Sequence, residues 1–143
     1  LWKARHHAYY AILGQRASSV GWSSDVCVPV SELTGCIRHA RELLAHCPVP
    51  AAILGHVGDG NFHVVFAIDP QDAAEMEAVK AVNAAMIARA ISVGGTCSGE
   101  HGVGLGKAAY LRDEHGDDAL DLMRALKTAI DPLGIMNPGK ILP

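Results

Sequence analysis

The sequence has little charge and few aromatic side chains: of its 143 residues, 19% are Asp, Glu, Lys or Arg, and 5% are Phe, Trp or Tyr. Its net charge of -3, with no run of Lys or Arg, argues against nucleic acid as a partner. No apolar run is long enough to span a bilayer. Because half of the residues are hydrophobic, the chain is expected to fold as a globular protein.

The four cysteines also form no Cys-X-X-Cys pair. Four scattered cysteines in a chain of this size favour reduced thiols in an intracellular protein over a disulfide framework. The length suits a single domain over residues 1–143. The opening residues look like the inside of a helix and lack the features of a signal peptide, so we expect a fragment of a longer protein.

The stretch 55–63, GHVGDGNFH, lies between two apolar segments that are typical of strands, 49–57 and 62–68. Its Asp59-Gly60 dipeptide favours a two-residue type I′ hairpin. That turn places His56 directly opposite His63 on one face of the sheet, with Cβ atoms about 5 Å apart. Two imidazoles at this spacing can share a metal ion, although a cross-strand His pair also occurs for purely structural reasons.

A second stretch, 94–106, is too rich in glycine for a helix or a regular strand. It carries Glu100 and His101 side by side, and Gly99 and Gly102 next to them are free to adopt backbone angles denied to other residues. Two His and one Glu are a usual ligand set of an open catalytic metal site. His56, His63 and Glu100 are therefore the candidate metal ligands, and His101 is a candidate proton acceptor.

The glycines at 102–106 followed by Lys107 resemble a phosphate-binding loop, but two positions exclude it. A P-loop requires Gly where His101 stands and Ser or Thr where Ala108 stands. A dinucleotide-binding loop is also excluded, because Lys107 occupies the third glycine position and no strand leads directly into it.

The remaining pattern predicts helices joined by short β segments. Helices are expected over 2–15, from an N-cap at Ser31 to Cys47, from Asp69-Pro70 to Gly94, over 107–114, and from Asp117 to Asp131, with a short β segment at 25–29. In the last helix, Leu120, Met123, Leu126 and Ile130 are expected to point inward. The pattern favours an α+β fold, a ferredoxin-like two-layer sandwich whose antiparallel sheet is covered by helices on one face, with a strand missing upstream of Leu1.

Three stretches in this order, 55–63, 95–102 (GTCSGEHG) and 131–140 (DPLGIMNPGK), resemble the C-terminal cap domain of the FAD-linked oxidases. That family includes cytochrome-type D-lactate dehydrogenase, D-2-hydroxyglutarate dehydrogenase and the flavin subunit of glycolate oxidase. The resemblance covers essentially the whole chain. The segments 1–5 and 24–29 resemble the D-lactate dehydrogenase branch most closely.

The resemblance implies roles for individual residues. It implies a divalent metal (Zn, Mn or Fe) on His56, His63 and Glu100, with His101 as the catalytic base. Arg5 matches an arginine that meets the substrate carboxylate, although by pattern alone it reads as a solvated helix charge. Asn137 and Lys140 match a tail that returns toward the flavin.

The implied activity is oxidation of a small (R)-2-hydroxy acid to the 2-oxo acid, with hydride transfer to FAD. The 2-hydroxyglutarate branch has a lysine just before the segment that begins at Asp25, whereas Trp22, Ser23 and Ser24 stand here, which favours D-lactate. The implied partners are an N-terminal FAD domain, which this chain does not contain, and an electron acceptor such as a cytochrome, a quinone or an electron-transfer flavoprotein. A homo-oligomer is a further expectation, because an apolar face would be left where the FAD domain docks.

The expected location is the bacterial cytoplasm, at the membrane periphery in some cases, or the mitochondrion. Two other functions remain open from the residues alone. One is a metal-dependent hydrolase, in which Glu100 or His101 activates a metal-bound water. The other is a non-catalytic metal-binding interaction module.

Overall fold

Strand β4 (Asn61–Ile68) is the centre of an antiparallel sheet in the computed structural model, which describes the backbone of residues 2–142 and the side chains of residues 7–142. All eight residues of β4 are buried, which fits a segment rich in Val and Phe with cover on both faces. Strand β3 (Ala51–His56) pairs along one edge of β4. Strands β1 (Val20–Ser23) and β2 (Val26–Cys27) pair along the other.

Strands β1 and β2 act as two halves of one edge strand that is interrupted at Ser24 and Asp25. The register is the same on both sides of the interruption, since Ser23 pairs with Val65 and Val26 pairs with Phe62. The sequence predicted the β2 segment but not β1. Strand β1 is thus an addition to the predicted pattern. The strand expected upstream of Leu1 lies outside this sequence and stays a prediction.

Two helices cover one face of the sheet: α2 (Val30–Leu44) and α3 (Ala73–Ser92). Their apolar residues form the main core with the side chains of β4 that point to this face, which are Phe62, Val64, Phe66 and Ile68. This arrangement confirms the predicted α+β two-layer sandwich with an antiparallel sheet.

The opposite face of the sheet is partly covered by α1 (Trp2–Leu13). Ile12 is buried there against Val65 and Ala67, which alternate along β4 with the residues of the main core. The expectation that all helices lie on one face is wrong for α1. Because β4 has apolar residues at consecutive positions, it has an apolar surface to offer on both sides.

Two predicted helix starts differ from the structure. Helix α3 is capped by Asp72, whose side chain accepts the N–H groups of Ala74 and Glu75, and not by Asp69. Asp69 instead accepts the N–H of Gln71 in the preceding turn. Helix α2 begins one residue before the predicted cap Ser31 and has no side-chain cap.

The last helix, α4 (Leu111–Ile130), follows a short 3₁₀ turn and is broken at Gly116, where φ is +78°. The break falls between the two helices that the sequence predicted. Leu120 is buried as predicted, whereas Leu126 and Ile130 are exposed, so their predicted inward orientation is wrong. None of the described helices has an apolar stretch of the length needed to cross a membrane.

Candidate functional site

The connection between β3 and β4 differs from the predicted two-residue turn. His56 pairs with Asn61, so four residues form the loop, and Val57–Asp59 make a 3₁₀ turn that Gly60 closes with φ of +77°. His63 lies opposite Leu54 and not opposite His56. The predicted direct His–His pairing is therefore wrong, because the four-residue loop is two residues longer than the predicted type I′ loop.

His56 and His63 nevertheless lie on the same face of the sheet. Lengthening the loop by two residues shifts the pairing by two, and side chains alternate between faces with a period of two. The two imidazoles are diagonal neighbours, with ring centroids 6.2 Å apart and ring planes at 87°. This is the face that α1 partly covers.

Each ring nitrogen of His63 faces an oxygen. Nδ1 lies 3.3 Å from the carbonyl oxygen of Ser24, which can only accept, so Nδ1 carries a proton. Nε2 lies 2.9 Å from Oε1 of Glu100. With Nδ1 protonated, Nε2 can meet that carboxylate only through a second proton or through a shared cation.

Glu100 links the two histidines. Its Oε1 lies 3.6 Å from Nε2 of His56 and 2.9 Å from Nε2 of His63, and the ligand atoms of the three residues all lie within 4.8 Å of one another. Ligand atoms about 2.1 Å from a tetrahedral zinc ion lie roughly 3.4 Å apart. The donor set and spacing therefore fit a divalent cation after the Glu100–His63 distance widens by about half an ångström.

His101 stacks on His63, with ring centroids 4.9 Å apart and ring planes within 6° of parallel. Its imidazole thus lies beside the three candidate ligands without being one of them. A second group of potential ligand atoms is formed by Asp25, His63 and His101. It is a poorer metal site, because the Asp25 oxygens already accept several hydrogen bonds and His63 presents its protonated Nδ1 to this side.

The residue that sequence reasoning missed is Asp25, whose side chain is fully buried. Its carboxylate accepts hydrogen bonds from the backbone N–H groups of Glu100 at 3.1 Å and His101 at 2.9 Å. Burial by itself raises the pKa of Asp25, but the bonds from His101, Asn61 and Glu100 and the charge of Lys107 outweigh it and hold that pKa well below its ordinary value. A lone aspartate before a short strand gives no signal of this role in the sequence.

The two glycines that flank the pair Glu100–His101 serve different purposes. Gly102 has φ of +77°, a backbone angle that glycine adopts easily, as the sequence predicted. Gly99 does not lie in that region, and its need is for space: a Cβ there would lie 1.7 Å from Nδ2 of Asn61 and 2.9 Å from Oδ1 of Asp25. The loop is therefore pressed directly onto the Asp25–Asn61 pair.

An open cleft of about 410 Å³ lies beside the histidines and Glu100. Its remaining wall is formed by Tyr9, Ser23, Leu54 and Val65. Among the described residues that line the cleft, none is a lysine or an arginine. A ligand of a few carbon atoms fits this space.

Three residues with predicted roles are not joined to this group by the described contacts. The side chain of Arg5 lies outside the described residues, although its backbone is one helical turn before Tyr9 in α1. Asn137, with φ of +47°, and Lys140 are exposed in the tail. The tail is held to the glycine-rich segment where the N–H of Ile141 donates to the carbonyl oxygen of Gly104.

Lys107, the residue that gave 102–107 its likeness to a phosphate loop, points inward. Its ammonium group donates to the carbonyl oxygen of Asp25 at 2.9 Å and to Oδ2 of the same residue at 3.2 Å. It is thus committed to a buried carboxylate.

Residues 1–141 match the family described as "FAD linked oxidases, C-terminal domain". The chain is 46% identical to "Probable D-lactate dehydrogenase, mitochondrial" of Danio rerio, over 99% of this chain and 29% of that protein.

Two further relatives illustrate the range. The chain is 39% identical to "D-lactate dehydrogenase [cytochrome], mitochondrial" of Arabidopsis thaliana, over 100% of this chain and 25% of the relative. It is 37% identical to "Glycolate oxidase subunit GlcD" of Bacillus subtilis, over 99% and 30%. The chain thus spans between a quarter and a third of the length of these relatives.

Proposed function

Because the chain belongs to the family of C-terminal domains of FAD linked oxidases, we propose that it is the substrate- and metal-binding part of a flavoenzyme. The proposed reaction is oxidation of a small (R)-2-hydroxy acid, D-lactate first, to the 2-oxo acid. The observation that carries the proposal is the convergence of His56, His63 and Glu100 on the wall of a small cleft, with His101 stacked beside them.

His56, His63 and Glu100 would hold a divalent cation, for which Zn, Mn and Fe suit the two nitrogens and one carboxylate oxygen. Three ligands from the protein leave positions open for substrate. The hydrogen bond from Nδ1 of His63 to Ser24 supports this role, since it fixes the ring so that the Nε2 lone pair faces Glu100 and His56.

When bound, the cation would polarise the hydroxyl of the 2-hydroxy acid as a Lewis acid, and the flavin would accept the hydride from C2. The chain's own contribution to the chemistry is His101, which would take the hydroxyl proton as general base. The position of His101 fits this role, because its ring stacks on His63, one of the proposed metal ligands, with the ring centroids 4.9 Å apart. A general base of this kind supplies about 10²- to 10⁴-fold in rate.

The walls of the cleft support a small monocarboxylate as substrate. Leu54 and Val65 offer apolar surface for a short alkyl group. A second carboxylate would find no cation among the described lining residues. The names of the Danio rerio and Arabidopsis thaliana relatives support D-lactate as the substrate. The name of the Bacillus subtilis relative supports glycolate as the alternative substrate.

The remaining roles are part of the same proposal. Arg5, one turn before Tyr9, would meet the substrate carboxylate, and Asn137 and Lys140 would contact the flavin. The flavin would be bound mainly by an N-terminal domain of the same protein. Electrons would pass on to a cytochrome, a quinone or an electron-transfer flavoprotein, in the mitochondrion or the bacterial cytoplasm.

The test is anaerobic mixing of the flavin-loaded holoenzyme with D-lactate, L-lactate, glycolate and D-2-hydroxyglutarate, with flavin bleaching as the readout. We expect bleaching fastest with D-lactate, lost on removal of the metal by a chelator and restored by Mn²⁺ or Zn²⁺. His46→Ala, which changes an exposed histidine on the segment after α2, is the matched control for His56→Ala, which should lose the metal.

Two results would overturn the proposal. Hydrolysis of esters or amides by the metal-loaded protein, without flavin bleaching by any 2-hydroxy acid, would point to a hydrolase. Metal binding that changes affinity for another protein, with no 2-hydroxy acid bound, would point to a non-catalytic interaction module.

A further inference from the structure

We infer that Asp25 is a positioning residue that holds Glu100 and His101 in place for the proposed reaction. This inference rests on the proposed function for its chemistry, but the positioning itself is measurable without substrate or metal. Asp25 lies in the interruption between β1 and β2, where the side chains of Ser24 and Asp25 accept hydrogen bonds from backbone N–H groups.

The register on either side of the interruption places Asp25 opposite His63 across the sheet. Oδ1 of Asp25 lies 3.5 Å from Nδ1 of His63 and accepts a hydrogen bond from Nδ2 of Asn61 at 2.8 Å. This oxygen therefore faces the start of β4, the strand that carries His63.

Oδ2 of Asp25 faces the glycine-rich loop. It accepts from Ser98 Oγ at 3.1 Å, from the N–H of Glu100 at 3.1 Å, from the N–H of His101 at 2.9 Å and from Lys107 Nζ at 3.2 Å. One carboxylate thus ties the strand that carries one proposed ligand to the loop that carries another and the proposed base.

Within the described part of the chain, the loop is held on the side before Ser98 by the N–H of Cys97, which donates to Glu114 at 2.8 Å. Its pairing with the sheet is an isolated bridge between Thr96 and Cys27, which ends before Glu100. The described hydrogen bonds of the Glu100 and His101 N–H groups both go to Asp25. Hydrogen bonds to an ionised carboxylate are about twice as strong as those between neutral groups, so Asp25 is a strong anchor.

Gly99 provides independent evidence that the glycine-rich loop packs closely against Asp25. The absence of a Cβ there lets the backbone rest directly on the Asp25–Asn61 pair. A displacement of the carboxylate would therefore be passed to the next two residues, Glu100 and His101. Loss of one partner that orients a metal ligand typically weakens metal affinity or activity 10- to 100-fold.

Asp131 is a natural comparison within the same chain. It is nearly buried, accepts the N–H groups of Ile135 and Met136, and is paired with Lys127, so it repeats the bonding pattern of Asp25 away from the cleft. Asp131→Asn removes a comparable anchoring carboxylate that bonds to neither Glu100 nor His101. It separates a general loss of stability from a loss of positioning.

The experiment compares Asp25→Asn and Asp131→Asn in the holoenzyme by deuterium uptake of the backbone over residues 98–102 and by the dissociation constant of Mn²⁺. We expect Asp25→Asn to exchange the Glu100 and His101 amides faster than the wild type, because both amides lose their ionised acceptor, and to bind Mn²⁺ about 10- to 100-fold more weakly. Asp131→Asn should change neither. Equal exchange over 98–102 in wild type and Asp25→Asn would overturn the inference.

A second variant decides the matter if Asp25→Asn does not fold. Ser98→Ala removes one donor to Oδ2 and leaves the carboxylate in place, so we expect a smaller rise in exchange at Glu100 and His101. No rise in this variant would count against the positioning role. If the wild-type protein binds no Mn²⁺, the metal part of the proposed function fails, while the exchange measurement still tests the role of Asp25.

Discussion

The carbonyl oxygen of Ser24 lies 3.3 Å from Nδ1 of His63 because the hydroxyl of Ser24 takes over a hydrogen bond of the sheet. The N–H of Val64 donates to Oγ of Ser24 at 2.8 Å, while the N–H of Ser24 donates to the carbonyl oxygen of Val64 at 2.9 Å. In a regular antiparallel pair, the Ser24 carbonyl would accept the N–H of Val64. One side-chain hydroxyl thus frees a backbone carbonyl for the histidine.

Ser24→Ala should therefore alter His63. Without the hydroxyl, either the Ser24 carbonyl turns back to Val64 and leaves Nδ1, or the buried Val64 N–H loses its partner at a cost of about 1–3 kcal/mol. We expect the proton of neutral His63 to redistribute toward Nε2, as seen in ¹⁵N chemical shifts of the ring. Ser92→Ala, which removes an exposed hydroxyl at the end of α3, is the control. An unchanged Nδ1–H tautomer in Ser24→Ala would contradict the assignment.

In the predicted hairpin, the sequence predicted the shared face of the two histidines correctly but not the turn. The turn type was wrong, yet His56 and His63 still share a face, because the loop differs from the prediction by an even number of residues. The role of Asp25 could not be read in advance. It depends on partners about 75 residues away along the chain, Glu100 and His101, and no local pattern reports such contacts.

Local competition explains the errors at helix ends. Asp69 and Asp72 are both suitable caps, and only the path of the chain after β4 decides that Asp72 accepts the N–H groups of α3. In α4 the spacing of apolar residues predicts a buried stripe that includes Ile130. Periodicity shows that a face is apolar but not whether this domain covers it.

Gly99→Ala should disturb the site by crowding. The new Cβ would meet the Asn61 amide and the Asp25 carboxylate, and overpacking of this kind costs typically about 1–3 kcal/mol. We expect weaker Mn²⁺ binding and a lower midpoint of thermal unfolding.

Gly106→Ala is the matched control for this change. Gly106 belongs to the same glycine-rich stretch, has open space around its Cβ position and is not among the glycines with positive φ. The Gly106→Ala variant should bind Mn²⁺ as tightly as the wild type does. If both variants behave alike, the contact with Asn61 and Asp25 is not what requires glycine at position 99.

His101→Ala should separate metal binding from proton transfer. The imidazole of His101 stacks on His63 but is not one of the three converging ligands, so metal content should be preserved. We expect kcat for D-lactate oxidation to fall about 10²- to 10⁴-fold, because the general base is lost. Metal analysis of the purified variant beside His56→Ala provides the comparison. A variant that retains full turnover would refute the assignment of His101 as the base.

Two positions on α4 should respond very differently to truncation. Leu120 is 5% exposed within the main core, and Leu120→Ala should cost about 2–5 kcal/mol of unfolding free energy. Ile130 is 73% exposed, so Ile130→Ala should change stability by no more than about 0.5 kcal/mol. Urea unfolding measures both values. Similar large losses would mean that Ile130 is covered in solution, for example by a second copy of the chain.

Stability at low pH should depend on Asp131. The hydrogen bond from Lys127 and the N–H of Met136 lower the pKa of Asp131 below its ordinary value. The unfolded chain then binds a proton at higher pH than the folded chain does, so unfolding free energy rises with pH in this range. The stabilisation is fully present above about pH 5 and is lost as pH falls below about 4 toward the folded-state pKa.

Asp131→Asn should therefore be most destabilising, relative to wild type, above about pH 5, and the difference should shrink as pH falls toward about 2. Urea unfolding at a series of pH values measures this difference. Asp121→Asn is the control, because its exposed carboxylate bridges only to Arg124 on the helix surface and such pairs contribute little. If the difference in unfolding free energy between wild type and Asp131→Asn stays constant from pH 7 to pH 2, Asp131 does not take up a proton on unfolding and does not cause this pH dependence.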